Sequence, residues 1–132
     1  MGFDQYHEPP QELSAPTRTF ARMCASLTEE AEAIGWYEQR LAVESDAEAL
    51  AIMRDAQGEE FKHFSMDLEF LLRRTPLWRE IARGILFQSG DIVEHGEESE
   101  ARATGEQDAD GSGGDGDLVG SLGIGRDAGS VR

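Results

Sequence analysis

The sequence predicts an all-α protein: an antiparallel pair of long helices, then a shorter third helix, completed only by a second copy of itself. Three observations lead there. Apolar residues recur at steps of three, four or seven along two long stretches. Proline and small polar residues punctuate the ends of those stretches. And the two apolar stripes are more than a single hairpin can bury.

The first helix is predicted over about 16 to 43. Ser14 followed by Pro16 marks its start, and Phe20, Met23, Leu27, Ile34, Tyr37 and Leu41 form its stripe. Ser45-Asp46 supplies a turn and an N-cap, with Glu44 and Glu48 adding charge of opposite benefit at the two helix ends. The second helix, about 46 to 73, carries Leu50, Met53, Phe61, Phe64, Leu68 and Leu71. Thr75-Pro76 stops it and opens the shorter helix "PLWREIARGILF", which offers Trp78, Ile81, Ile85 and Leu86 to a partner surface. Two hairpins packed together make a four-helix bundle, the simplest way to cover both stripes.

The ordered region is expected over 7–92. Beyond it "EHGEESEARATGEQDADGSGGDGD" is almost empty of large apolar residues, which predicts a flexible acidic linker over 93–117. An apolar island then occupies 118–132, and the C-terminal tail as a whole is expected to be disordered.

Among the 132 residues, 12 Lys and Arg stand against 27 Asp and Glu, a net charge of −15. Such a polyanion does not bind nucleic acid by neutralising phosphates, and it suits metal cations or a basic partner. The start of the chain lacks the charged-then-apolar pattern of a secretion signal, and no run approaches the roughly 18 apolar residues of a membrane helix, so a cytoplasmic protein is expected. The single cysteine, Cys24, excludes an intrachain disulfide and reads as a small core residue.

Two features oppose simple packing. Glu30 interrupts the first stripe, three residues after Leu27 and four before Ile34. On the second helix Met53, Ala56, Glu60, His63, Met66 and Phe70 share a face, so Glu60 and His63 break an apolar strip while Glu59 and Lys62 point elsewhere. A carboxylate in such a place is costly unless paired or bound to metal. With the turn near residue 45, Glu30 and Glu60 each stand 15 residues from it (45 − 30 and 60 − 45). That is about 22 Å along each helix, which sets them level.

The stretch "GEEFKHF" holds the chain's one Glu-x-x-His. Ferritin-like di-iron proteins take a Glu from each of two helices and a Glu-x-x-His from each of two others. One copy here supplies half of that set, and two copies supply all of it. Carboxylates with one imidazole per metal suit Fe, and equally Mn, Co or Zn. Tyr37, one heptad after Glu30, reads as a ligand, hydrogen-bond donor or redox neighbour of the site, or as an ordinary amphipathic core tyrosine. Glu29 and Glu32 near Trp36 read as a secondary metal site or as a solvated acidic face.

Taken in order, His7-Glu8-Pro9, Leu13-Ser14, Glu29-Glu30-x-Glu32, Trp36-Tyr37-x-Gln39-Arg40, Glu59-Glu60-x-x-His63 and Met66-x-Leu68-Glu69 resemble the encapsulated ferritins. In that family a ferroxidase is packaged inside an encapsulin nanocompartment. The resemblance spans about residues 7 to 90. It implies ring-shaped decamers built from dimers and a di-iron centre formed only between subunits. By position, Glu30, Glu60 and His63 would be iron ligands with Tyr37 beside them. Glu29, Glu32 and Trp36 would form an outer site open to other divalent cations such as Ca, Mn or Zn. Gly35 stands where the family often has an acidic residue, and Gly58 precedes the Glu pair. Within the tail, Gly120-Ser121-Leu122-Gly123-Ile124-Gly125 resembles encapsulin cargo-loading peptides, with Arg126-Asp127 replacing the expected Ser-Leu.

The resulting expectation is a ferroxidase that oxidises Fe(II) with O2 for iron storage in the shell. Two other readings stand beside it: a non-enzymatic, oligomeric acidic helical interaction module, and a Mn- or Zn-binding protein without oxidase activity.

Overall fold

The computed structural model describes residues 5–105, which contain helices and no strand. A 3-10 turn at Pro10–Glu12 precedes α1 (Ala15–Val43), α2 (Ala47–Arg74), α3 (Pro76–Ile85) and α4 (Ile92–Thr104). The first three helices begin and end within one or two residues of the predicted limits. At the end of α3, Leu86 leaves the helix for extended backbone.

Local chemistry accounts for the helix ends. Ser14 caps α1 in extended backbone, its Oγ accepting from the Thr17 amide at 3.2 Å, with Pro16 placed where no intrahelical donor is lost. Arg18 donates to the Pro10 carbonyl at 3.2 Å, tying the 3-10 turn to the first turn of α1. Between α1 and α2, Glu44 Oε1 accepts from the Asp46 and Ser45 amides at 2.9 Å each, and these bonds hold its carboxyl below the usual range. Asp46 Oδ1 accepts from the Ala49 amide at 2.9 Å and caps α2.

The chain divides into two compact units within α2, after Leu71. The first is the α1–α2 hairpin. Gln57 Nε2 donates to the Ile34 carbonyl at 3.3 Å and to Glu38 Oε2 at 2.9 Å. Further along α2, His63 faces Glu30, so rising numbers on one helix meet falling numbers on the other and the pair is antiparallel. The hairpin has almost no core. Ala25, Gln57 and Leu71 are buried, whereas Trp36, Val43, Ile52, Phe61 and Met66 are each at least half exposed. Cys24 is only half-buried, although burial still pushes its thiol up. This much open apolar surface is consistent with a four-helix bundle made from two hairpins.

The second unit, from Leu72 on, departs from expectation. Where composition predicts a flexible linker from residue 93, Ile92–Thr104 is a helix packed on α3. Asp91 caps it by accepting from the Glu94 amide at 2.9 Å, and Gly105 ends it in the left-handed conformation at φ 76°. The residues between these caps are mostly good helix formers. Averaging them with the Gly- and Asp-rich residues that follow hides the helix. Ser99, 1% exposed, lies where α4 crosses α3 at Gly84.

That crossing requires a glycine. A Cβ on Gly84 would sit 1.8 Å from Ser99 Oγ and 2.8 Å from Ser99 Cβ, whereas one on Gly35 or Gly58 would meet nothing within 4 Å. Gly84→Ala is expected to destabilise the metal-free protein by about 1–3 kcal/mol through overpacking. Gly58→Ala is expected to stabilise it by up to about 1 kcal/mol through helix propensity. Thermal and urea unfolding of the two variants beside wild type checks the opposite signs.

Candidate metal centre

The seam of the hairpin holds the polar residues that the sequence singles out. Glu30 is presented by α1, and Glu60 and His63 by successive turns of α2. Each offers one ligand atom, and these atoms lie within 4.8 Å of one another. His63 Nδ1 stands 3.6 Å from Glu60 and 3.9 Å from Glu30. Both carboxylate side chains are 22% exposed and the imidazole 44%. Among the described residues, this is the one such group of three.

The separations to the imidazole exceed those of hydrogen bonds. A metal with bonds of about 2.0–2.2 Å holds its ligand atoms roughly 3–4 Å apart, and the donor set, two carboxylates and one imidazole, is one that a divalent transition metal accepts. Glu30, Glu60 and His63 therefore fit a metal ion in both spacing and chemistry.

Electrostatics point the same way. A hydrogen bond with Glu60 raises the Glu30 carboxyl to about 7, assisted by burial and by the negative charges of Glu60 and Asp67, while His63 opposes the rise. Below about pH 7 a proton is thus favoured between the two facing carboxylates. A cation in the same place would displace it, so metal binding and proton release are linked.

Other expected residues lie around this group. Tyr37 is not one of the three, and the Arg40 guanidinium stacks 5.3 Å from its ring centroid. Glu29, Glu32 and Trp36 are exposed on the outer face of α1. Glu59 was expected to point away. It does pair with Lys62, yet its carboxylate also comes within 3.9 Å of His63 Nε2. The apolar island at 118–132 lies outside the described residues.

Sequence reasoning missed two residues. Gln57 is buried and spans the hairpin; its heptad spacing to Phe64 and Leu71 was the available signal. Asp67 lies one heptad beyond Glu60 and has an oxygen, Oδ2, closed off from solvent with no hydrogen-bond partner.

Because Glu30 carries a folded-state pKa above its ordinary value of 4.5, its protonation favours the fold. The contribution is full below about pH 4.5 and disappears as pH rises through about 7. Metal-free wild type is therefore expected to lose melting temperature relative to Glu30→Gln between about pH 5.5 and about pH 8. Parallel thermal melts across that range, with chelator present, measure it.

The EncFtn-like family model matches residues 5–89. A ferritin-like protein of Thermotoga maritima is 43% identical over 96 residues, which cover 73% of this chain and 84% of the relative. An encapsulated ferritin-like protein of Rhodospirillum rubrum is 38% identical over 120 residues, covering 90% of this chain and 84% of the relative. A crystal structure of a protein from Nitrosomonas europaea matches the fold with a TM-score of 0.66 at 39% identity, over 67% of this chain and 98% of that one. With the family model matching residues 5–89, which carry Glu30, Glu60 and His63, and with two relatives at 43% and 38% identity, the chain belongs to the EncFtn-like family.

Proposed function

We propose that the protein is a ferroxidase whose di-iron site forms between two subunits, each contributing Glu30, Glu60 and His63, and that it serves iron storage inside an encapsulin nanocompartment. The observation that carries this reading is the convergence of those three side chains in a hairpin that has neither a full ligand set nor a full core. A second copy supplies both. Membership of the EncFtn-like family and the likeness to an encapsulated ferritin-like protein support it.

Fe(II) is the substrate. Glu30 and Glu60 release their shared proton to bind it, and His63 offers an imidazole nitrogen. Two Fe(II) ions each lose one electron, and O2 takes both electrons with two protons and leaves as hydrogen peroxide. Fe(III) departs for mineral storage. Tyr37, one heptad from Glu30, serves as a hydrogen-bond donor or redox neighbour in this reading. Glu29, Glu32 and Trp36 form an outer cation site on the exposed face. The dimer is the minimal active unit, in the ring-shaped decamer that the family resemblance implies. No helix among the described residues is long and apolar enough to cross a membrane.

Glu60→Ala, His63→Ala and Glu30→Ala are each expected to lower the initial rate of Fe(II) oxidation at least about tenfold, the least expected when a metal ligand is lost. Absorbance of the ferric product follows the rate, and unchanged rates in all three variants would overturn the assignment. Size-exclusion chromatography with light scattering should show Fe(II)-dependent assembly at about one iron per chain. Assembly without metal belongs instead to a pure interaction module. Deleting residues 118–132 is expected to abolish co-purification with a co-expressed encapsulin shell while leaving Fe(II) oxidation intact.

A further inference from the structure

Asp67 adds a third carboxylate to the two among the candidate ligands, and its charge reaches Glu30. It follows His63 by four residues and Glu60 by seven, so it repeats the register of Glu60 one heptad further along α2. Its Oδ2 is closed off from solvent and accepts no hydrogen bond. A carboxylate oxygen in that condition is costly, since burial removes its water and nothing replaces it. Its charge also reaches the site, where it adds to the repulsion felt by Glu30. In the metal-free hairpin Asp67 is therefore a liability on two counts: an unsatisfied oxygen of its own and added repulsion at its neighbour.

Both costs change sign when a cation enters. A divalent ion held by Glu30, Glu60 and His63 would turn the charge of Asp67 from repulsive to attractive, and water bound to it would supply an O–H donor. We propose that Asp67 is a positioning residue of the metal centre: it does not ligate the ion, but strengthens its binding through its charge and by accepting a hydrogen bond from metal-bound water. This rests on the metal-centre reading above. It adds a residue that the Glu-x-x-His pattern does not contain and gives Oδ2 a partner.

The test uses Co(II), which is stable to air on the timescale of a titration and reports its ligands by visible absorption. Full-length wild type, Glu60→Ala, Asp67→Asn and Asp67→Ala are titrated calorimetrically and by absorbance, and their metal-free melting temperatures are measured. Asp67→Asn is expected to weaken Co(II) binding about 10–100-fold, as loss of outer support does at other metal sites. It should keep the wild-type cobalt spectrum and melt at or above wild type when metal-free. The two effects run in opposite directions, which a purely structural role does not produce. Wild-type affinity in Asp67→Asn overturns the proposal, as does a fall in metal-free stability in both Asp67 variants that accounts for their loss of affinity. If wild type and Glu60→Ala bind Co(II) equally weakly, the metal-centre reading itself fails and takes this inference with it.

Discussion

Two carboxylates facing each other across a helical seam constrain the rest of this protein. Glu30 and Glu60 sit on different helices, mostly shielded from water, close enough that a proton stabilises the pair. Two negative charges do not rest there unassisted. The pair favours a proton or a cation, and His63 on the next turn of α2 adds an imidazole nitrogen to the same gap. Gln57 gives the arrangement its register, since its amide reaches both the Ile34 carbonyl and the Glu38 carboxylate on α1. A shift of one residue between the helices would break both bonds and separate Glu30 from its partners.

The hairpin combines a thin core with a repulsive seam, and neither would be retained in a protein whose only task was to fold. Apolar side chains such as Ile52, Phe61 and Met66 remain largely open, while Glu60, His63 and Asp67 occupy inward-facing positions of α2. In the proposed dimer a second hairpin would address both defects, covering apolar surface and bringing a second half-set of ligands. Under the proposed function, assembly and metal binding would be one process, in which each removes a cost that opposes the other.

The second unit follows different rules. Its α3–α4 pair closes on a glycine and a buried serine and is bracketed by an aspartate cap and a left-handed glycine, with no comparable cluster of ligands among the described residues. Its order comes from local capping and a close helix crossing, which a compositional average over a long acidic stretch cannot register.

The sequence by itself determined the helices of the hairpin, their turn and the candidate ligands. Ser14, Pro16, Asp46 and Pro76 act within a few residues of where they stand, and periodicity shows which face of a long helix is apolar. Even the level placement of Glu30 and Glu60 needed only a turn position and the rise per residue. Tertiary structure alone decided whatever depends on a neighbour across space. It set Gln57 across the hairpin and closed Asp67 Oδ2 off from solvent without a donor. It also packed the locally capped helix at 92–104 on α3. Spacing along a chain shows which side chains share a face. Whether a polar group on that face finds water, a partner or neither is settled by atoms that are distant in sequence.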